Sequence, residues 1–378
     1  MNKVSIFNDP IHGHMKLPKY IVEIIDTQQF QRLKHLKQTG LAEYVFSGAL
    51  HTRFNHCVGV SYLAKKLINN LKKKQPELNI TDQEVKCICI AGLLHDIGHG
   101  PFSHTFEKWT HTQAIEFHHE EMSNKLTDHL FKENNIKITV EEITLIKFLI
   151  DGSYNSDISN RGFLFEIVAN KRNSIDVDKF DYLVRDAYHA GITEKYDFRR
   201  LINGARVINN EICYPHKDFW QINNLFNCRY SLFKKVYTHP VSNAVELMVC
   251  DVLTIASKKL KIVDRIEDIN KYVNLTDDIL HEIKISKSRE LKIARDILKR
   301  IDKRDLYQIV LDINIPLTEI NIPTITELLE YQNINKQQLF LTKDDFVIET
   351  FINNYAMKDK NPLDYVHFYK KINPKRIF

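Results

Sequence analysis

Residues 91–104 read Ala-Gly-Leu-Leu-His-Asp-Ile-Gly-His-Gly-Pro-Phe-Ser-His, and this stretch decides the fold. It is preceded by an apolar run, residues 87–94, which predicts a helix that carries His95 and Asp96 into the protein interior. His99 follows one helical turn after His95, and a Gly-Pro pair then ends the helix. Because burying imidazole and carboxylate groups without partners is costly, the stretch predicts a metal-binding helix end.

The composition is that of a globular protein with no strong charge bias. The chain has 378 residues, 53 basic and 48 acidic, which gives a net charge of +5. That excess is too small to indicate nucleic-acid binding by itself, although a local basic pocket stays open.

The cysteines and the N-terminus indicate a cellular compartment. The six cysteines include no CxxC pair, which argues against a zinc knuckle or a disulfide framework. The first residues lack the apolar run of a signal peptide, and no uncharged apolar run approaches the ~20 residues that span a bilayer. We therefore expect a cytoplasmic or nuclear protein that is not secreted and does not enter a membrane.

Local signals set the order of elements. Residues 1–17 contain turn signals between apolar residues, which predicts a short hairpin. From residue 18 the apolar residues recur at spacings of three and four, as in amphipathic helices. Thr81 and Glu84 form a capping box at the start of the helix that carries His95.

The whole pattern predicts a mainly α fold in two parts. Residues 1–261 form a helical body, whose core spans about residues 50–190. Beyond residue 262 the pattern is mixed, with strand-like runs at 307–315 and 345–351. We therefore expect residues 262–378 to form a smaller α+β lobe packed on the body.

Four residues are the best metal candidates, and they come from three separate segments: His56, His95 with Asp96, and Asp178. Two imidazoles and two carboxylates favour a borderline or hard divalent ion such as Fe, Mn, Zn or Mg. The alternative for any one histidine is a hydrogen-bonded core or surface role. A pair that ends an apolar helix favours the metal.

A second group of residues is suited to proton transfer. His104, His118 and His119 supply imidazoles, a group suited to proton transfer near neutral pH, and Glu120 stands beside His119. A carboxylate next to an imidazole raises its pKa. The alternative is an exposed helix start.

Polar residues near Asp178 suggest a ligand-binding face. On a helix, Asp178, Tyr182 and Asp186 share one face at four-residue spacing. The alternative is a surface helix with intrahelical ion pairs. Three cations would bind phosphates if they converged, which spacing does not show: Arg53, Lys179 and Arg229.

These motifs resemble a known family. The order His56, His95-Asp96, Asp178 is the H…HD…D signature of HD-domain phosphohydrolases. Longer blocks are similar to HD-domain deoxynucleoside triphosphate triphosphohydrolases, in particular the vertebrate SAM-and-HD-domain members. The blocks are Asn-Asp-Pro-Ile-His-Gly-His, Ile-Ile-Asp-Thr-x-Gln-Phe-Gln-Arg-Leu, the stretch quoted first, and Asp-Val-Asp-Lys-Phe-Asp-Tyr-Leu-Val-Arg-Asp. The likeness runs from about Val4 to about Lys371, and we expect the protein to lack the SAM domain.

The resemblance implies a reaction and roles for individual residues. A deoxynucleoside triphosphate (dNTP) and water would give the deoxynucleoside and inorganic triphosphate. The four metal candidates would hold the ion, His119 with Glu120 would be the catalytic pair, and His99 and His104 would face the α-phosphate. Arg53, Lys179 and Arg229 would bind the triphosphate. The remaining substrate contacts would be Gln38, Thr39, Tyr182, Asp186, Tyr237 and Thr238.

Departures from the family pattern concern selectivity. Thr39 stands where the family has Leu beside the sugar, and Thr238 stands where it has Gln. Glu107 replaces an Asp in the catalytic shell. These exchanges are expected to alter base or sugar selectivity and the position of one carboxylate.

The resemblance also implies activation by GTP or a dNTP, with Mg, bound between the subunits of a tetramer. The corresponding residues are Asn8, Asp26, Gln31, Lys34, Val45, Phe46, Arg200, Lys217, His239, Arg295, Lys299 and Lys371. Basic residues of the family are replaced by Ser5, Lys34, Pro215 and Pro240, of which Lys34 lacks the guanidinium fork. We expect a dimer or tetramer with weaker or altered activation.

Two other functions stay open at this point. One is an HD-domain phosphohydrolase that acts on a different nucleotide, such as a cyclic or guanosine polyphosphate species. The other is a nucleotide-sensing or single-strand nucleic-acid-binding protein. The modest net charge makes nucleic acid a secondary partner.

Overall fold

A computed structural model describes residues 5–157, 159–193, 196–313, 324–334, 342, 345–357, 360–370 and 373–377. Helices dominate the described residues, so the prediction of a mainly α fold is confirmed. The α-helices in chain order are α1 (Lys19–Ile25), α2 (Gln28–Gln31), α3 (Arg53–Lys74), α4 (Asp82–Leu94), α5 (His104–Thr112), α6 (His119–Glu133), α7 (Val140–Asp151), α8 (Val177–His189), α9 (Arg199–Gly204), α10 (Phe219–Leu232), α11 (Pro240–Leu260), α12 (Ile262–Glu267), α13 (Ile269–Tyr272), α14 (Ile279–Ile285), α15 (Lys292–Asp302) and α16 (Ile325–Ile334).

Within the described residues, two small sheets accompany the helices. Their strands are β1 (Ser5–Asp9), β2 (Gly13–Leu17), β3 (Arg206–Ile208), β4 (Glu211–Pro215), β5 (Phe368–Lys370) and β6 (Asn373–Ile377). β1 and β2 form the predicted antiparallel hairpin. The second sheet has the order β3-β4-β5-β6, and its β4–β5 pair is parallel.

The division of the chain differs from the predicted boundary at residue 261. One compact unit comprises residues 1–307 and 354–378, and a second comprises residues 308–353. Helix α15 packs on α11, and β5 pairs with β4, so both ends of the expected 262–378 lobe join the body. The predicted strands at 307–315 and 345–351 are wrong for the residues described there, which carry no strand.

The centre of the larger unit is the antiparallel crossing of α3 and α4, with α8 packed on α3. A Cβ on Gly92 would lie 3.2 Å from the Ser61 Cα atom, so glycine permits the close crossing. The capping box of Thr81 and Glu84 is present at the start of α4. α4 ends at Leu94, earlier than predicted, and the residues of the histidine motif follow in turns.

A buried arginine joins three segments around this crossing. The Arg32 guanidinium donates to the carbonyl oxygens of Ile97 at 3.3 Å, His99 at 2.7 Å and Leu275 at 2.9 Å. It also lies 4.6 Å from the centre of the Tyr272 ring. Arg32 therefore fixes the turn after α4 to the segment that follows α13.

Helix α11 has the length and composition of a membrane span. Its most apolar window of 18 residues has a mean hydropathy of 1.2, and 50% of that window is buried inside the protein. α11 packs against α5, α12 and α15. These contacts are those of a core helix, which passes the same test of length and composition.

The first prediction concerns Arg32. Arg32→Met would leave three buried carbonyl groups without donors, so the free energy of unfolding is expected to fall by about 3 kcal/mol or more. Urea denaturation followed by circular dichroism measures it. Arg199, whose side chain is 69% exposed and paired with Asp197, is the control. Arg199→Met is expected to change stability by about 0.5 kcal/mol or less. Equal losses in the two variants would contradict the role of Arg32.

Candidate active site

Three helix ends bring the predicted metal ligands together. His56 lies in the first turn of α3, His95 and Asp96 directly follow α4, and Asp178 lies in the first turn of α8. α3 contacts both α4 and α8, so the three ends meet on one side of the crossing. Tertiary packing therefore assembles residues that are far apart in the chain.

The four side chains form one cluster. His56 Nε2 lies 3.2 Å from His95 Nε2. Asp178 Oδ1 lies 3.1 Å from His56 Nε2 and 3.5 Å from His95 Nε2. Asp96 completes the group, with Oδ2 3.7 Å from His56 Nε2 and Oδ1 3.5 Å from His95 Nε2.

Charge in this cluster favours a bound cation. Burial disfavours ionisation of Asp96, but His95 and Arg53 outweigh it and hold the pKa of Asp96 well below its usual range. Burial raises the pKa of Asp178 too, but hydrogen bonds from His56 and His95 outweigh this effect and lower the pKa. Burial opposes protonation of His56, yet hydrogen bonds to Asp178 and Asp181 raise its pKa to about 10. The carboxylates stay ionised and attract positive charge.

The donor set fits a divalent metal ion. The ligand atoms of His56, His95 and Asp178 lie within 4.8 Å of one another, and Asp96 adjoins them. Two imidazole nitrogens and carboxylate oxygens suit Fe, Mn or Zn, and the carboxylates also suit Mg. These residues can hold such an ion.

Three further histidines stand beside the cluster. The rings of His99 and His119 stack with centroids 3.9 Å apart, and the His104 ring lies 5.2 Å from His99 and 5.8 Å from His119. His99 Nε2 lies 3.5 Å from Asp96 Oδ1, and its buried Nδ1 has no hydrogen-bond partner among the described residues. The side chain of His104 is 76% exposed, so it faces the open side of the site.

The carboxylate nearest to His119 is Glu107 rather than the expected Glu120. Glu107 Oε1 accepts from His119 Nδ1 at 2.7 Å, and its Oε2 accepts from His104 Nδ1 at 3.1 Å. Glu120 lies 3.3 Å from His119 Nδ1, and its side chain is 64% exposed. Burial disfavours protonation of His119, but the bond to Glu107 outweighs it and raises the pKa of His119.

Two of the three predicted phosphate-binding cations lie next to the metal ligands. Arg53 donates to Asp96 and, at 2.9 Å, to Ser103 Oγ. Lys179 follows Asp178 and lies 3.1 Å from Asp176, a contact that outweighs burial and raises its pKa to about 12. Arg229, on α10, donates to the Asn354 carbonyl oxygen.

Aromatic and acidic groups form the side expected to face the sugar. Tyr237 donates to Asp186 Oδ2 at 2.6 Å, and its ring lies 6.5 Å from that of Tyr182. His51, which sequence reasoning did not find, donates to Asp186 Oδ1 at 2.7 Å. The backbone N–H of Gln38 donates to the carbonyl oxygen of His51.

Two predicted threonines differ in their hydrogen bonding. The Thr39 hydroxyl is buried and has no partner in the described structure, as is true of Gln38 Oε1. The Thr238 hydroxyl donates at 2.9 Å to the Phe233 carbonyl oxygen at the end of the helix. Thr39 and Gln38 are therefore free to bind a ligand, whereas Thr238 is engaged in capping.

A strained turn follows the histidine motif. Phe102 and Ser103 both have a φ of 57°, a left-handed conformation that is costly for residues with a Cβ. Asp277 Oδ1 accepts from the Phe102 N–H at 2.7 Å, and its Oδ2 accepts from the Lys37 N–H at 2.9 Å. Asp277 thus holds two loops that border the site. It has no local sequence signal, since it lies 175 residues from Phe102.

Comparison with known proteins gives the family. The HD domain matches residues 53–185. The chain is 43% identical to the deoxynucleoside triphosphate triphosphohydrolase SAMHD1 homolog of Dictyostelium discoideum over 377 residues, which are 99% of this chain and 72% of that protein. It is 39% identical to SAMHD1 of Homo sapiens over 430 residues, covering 100% of this chain and 67% of that protein.

This chain belongs to the SAMHD1 family of deoxynucleoside triphosphate triphosphohydrolases. A viral relative extends the likeness. An HD domain-containing protein of Acanthamoeba polyphaga mimivirus is 34% identical over 410 residues, which cover 99% of this chain and 87% of that protein. The expectation from the sequence motifs is therefore confirmed at the level of the family.

The residues that the sequence predicts for an activator site of this chain fall into several groups. Gln31 Nε2 donates to the Ile25 carbonyl oxygen at 2.7 Å, next to Asp26. Phe46 contacts His239, with ring centroids 5.7 Å apart. Lys371 lies outside the described residues. The remaining members are described and lie on other elements: Asn8 on β1, Lys34 over Phe54, Val45, Arg200 against Asp218, Lys217, and Arg295 with Lys299 on α15. That these residues come together in nucleotide sites between subunits stays a prediction.

A matched pair of histidines tests the metal cluster. His95→Ala removes a proposed ligand, so its affinity for Mn²⁺ is expected to fall by more than about 100-fold, beyond the usual loss for an outer-shell change. His119→Ala removes a neighbouring histidine that is outside the four ligands and is expected to retain the ion. Metal content per chain after dialysis, measured by elemental analysis, compares them. Equal metal content in the two variants would contradict the assignment of His95.

Proposed function

We propose that this protein hydrolyses deoxynucleoside triphosphates to the deoxynucleoside and inorganic triphosphate. The observation that carries the proposal is the meeting of the four metal candidates with His119, Glu107 and Arg53 in one site of a SAMHD1-family chain. The proposed substrate class follows from the name of the relatives. The site chemistry agrees with it, because phosphate esters need a cation, a proton donor and positive side chains.

A divalent metal ion would be held by His56, His95, Asp96 and Asp178. The chemistry that such an ion supplies when bound is polarisation of phosphoryl oxygens and activation of water. Arg53, Lys179 and Arg229 bind the triphosphate and stabilise negative charge that develops during the reaction. His99, whose ring lies 5.2 Å from that of His104, faces the α-phosphate, and His104 faces the same group from the open side.

The leaving 5′-oxygen requires a proton. Water forms the new bond to the α-phosphorus as the bond from that phosphorus to the 5′-oxygen breaks, and the proton that the water loses passes to solvent, from which His119 is protonated again. His119 is the proton donor in our proposal, because Glu107 holds its Nδ1 and leaves its Nε2 for the substrate. Because its pKa is raised, the His119 ring stays protonated at higher pH than an ordinary imidazole.

The deoxyribose lies between Gln38 with Thr39 and the Tyr182–Tyr237 pair in this proposal. Asp186 is held by His51 and Tyr237, and so presents a fixed carboxylate to the sugar. The Thr39 hydroxyl, which has no partner in the part of the chain that the structure describes, adds a donor and acceptor at the position where the family has an apolar side chain. We propose that base or sugar selectivity differs here from that of the vertebrate enzymes.

Assembly and activation are part of the proposal. GTP or a dNTP, with Mg, would bind between subunits at the activator residues and promote a dimer or tetramer. Ser5, Lys34, Pro215 and Pro240 remove positive charge or guanidinium geometry there, so activation is weaker or altered. All six cysteines are buried and free, which supports a reducing compartment, the cytoplasm or nucleus. Any nucleic-acid binding is secondary.

Product identity is the third prediction and the test of the function. The protein is incubated with each of the four dNTPs and Mn²⁺, with and without GTP, and the products are separated by ion-exchange chromatography. We expect inorganic triphosphate and deoxynucleoside in equal amounts, with GTP changing the rate. Pyrophosphate or single phosphate without triphosphate would contradict the proposal. Oligonucleotide binding that falls steeply with salt, in a protein without hydrolysis, would favour the nucleic-acid alternative.

The fourth prediction separates the two carboxylates beside His119. Glu107→Gln removes the closer acceptor and is expected to lower kcat by about 100-fold, within the range of lost acid–base catalysis. Glu120→Gln, an exposed residue of the same type, is expected to have the smaller effect. Steady-state turnover of the best dNTP measures both, with metal content as a control. A larger loss in Glu120→Gln would show that the exposed carboxylate is the functional partner.

A further inference from the structure

One metal ligand is held from behind by a buried carboxylate. Asp181 Oδ2 accepts a hydrogen bond from His56 Nδ1 at 2.8 Å, and the two side chains are 0% and 1% exposed. This bond places the ring proton on Nδ1. With an ion bound in place of the proton that Nε2 shares with Asp178, the lone pair of Nε2 would point toward the space between His95 and Asp178.

Asp181 is itself held by two other residues. Arg185 donates through Nε to Oδ2 at 2.8 Å and through Nη2 to Oδ1 at 2.9 Å. His12 Nε2 donates to Oδ1 at 2.6 Å. Each carboxylate oxygen therefore has two donors, and the carboxylate cannot rotate without breaking several bonds.

The donors reach back to the tip of the β1–β2 hairpin. Asp9 Oδ2 accepts from Arg185 Nη1 at 2.8 Å, and Asp9 Oδ1 accepts from the backbone N–H groups of Ile11 and His12 at 2.9 Å each. Side-chain exposure is 0% for Arg185 and 2% for Asp9 and for His12. The hairpin tip is thus inserted into the body, where Asp181 links His12 of the tip to the metal ligand His56.

Gly59 leaves room for this network. It lies nearly one turn after His56 on α3, and a Cβ there would stand 2.1 Å from Asp181 Oδ1 and 2.6 Å from Arg185 Nη2. Any side chain at residue 59 would push the Asp181–Arg185 pair away. Gly59 therefore leaves α3 without a side chain at the point where the Asp181 carboxylate approaches His56.

We propose that Asp181, held by Arg185 and by His12 of the hairpin tip, is a positioning residue that fixes the tautomer and orientation of His56. The inference rests on the divalent-metal site of the proposed function. It adds that metal affinity depends on the N-terminal hairpin, which contributes no ligand itself. Partners of this kind commonly change metal affinity by about 10- to 100-fold when removed.

Asp181→Asn is the first variant to test this. The amide keeps the size of the side chain but has one acceptor oxygen for four donors. Mn²⁺ binding to the metal-free full-length protein is titrated in the absence of nucleotide, and we expect affinity about 10- to 100-fold weaker than wild type. The absorption spectrum of the Co²⁺ form is expected to change, because the spectrum reports the orientation of the ligands.

Asp218→Asn is the matched control. The Asp218 side chain is 3% exposed and bonds to Arg200, so it is another buried carboxylate paired with an arginine. We expect a lower melting temperature but unchanged Mn²⁺ affinity and an unchanged Co²⁺ spectrum. An equal loss of affinity in Asp218→Asn would mean that general destabilisation explains both results, and would overturn the proposal.

His12→Phe decides the question if Asp181→Asn does not fold. It keeps an aromatic ring near Tyr62 and Phe198 but removes one donor to Asp181, and we expect Mn²⁺ affinity about fivefold weaker, the usual net effect of one hydrogen bond. Wild-type affinity in a folded Asp181→Asn, or in His12→Phe where the former does not fold, would overturn the inference. The Mn²⁺ titration contains no substrate, so its result does not depend on hydrolysis. Failure of the proposed hydrolysis would be seen in the product assay instead.

Discussion

The structure depends on the charge of one buried cluster. Asp96 and Asp178 remain ionised where burial disfavours it, because imidazoles and Arg53 surround them. Such a group is stable only if every charge has a partner, and the space between His56 and His95 suits a cation. Helices α3 and α8 begin at this point and α4 ends there, and the crossing of α3 and α4 is close because Gly92 has no side chain.

The surroundings of the cluster serve to hold it rigid. Arg32 fixes the turn after α4, and Asp277 holds the strained backbone at Phe102 and the loop at Lys37. Asp181 restrains His56 from the other side. Each of these contacts joins segments that are distant in the chain or lie on different elements, as expected where strain and buried charge are retained for function.

Much of this could be predicted from the sequence, but not all. The mainly α class, the hairpin and the capping box at Thr81 follow from periodicity and local hydrogen bonding. The strands predicted at 307–315 and 345–351 are wrong for the residues described there, and β5, which does form, pairs with β4, more than 150 residues earlier in the chain. No local pattern specifies such a pairing. The sequence places Glu120 beside His119, but the closer carboxylate is that of Glu107, because adjacency in the chain does not give distance in space.

The sequence by itself determined the chemistry: which residue types are present, which helices they begin or end, and which family the motifs resemble. These depend on side-chain identity and short spacing. Only the tertiary structure decided which groups meet. It brought Asp181 and His12 behind His56, placed Glu107 against His119, and left the Thr39 hydroxyl without a partner among the described residues. The physical reason is that these contacts arise from helix packing, which depends on the volume and charge of the whole core.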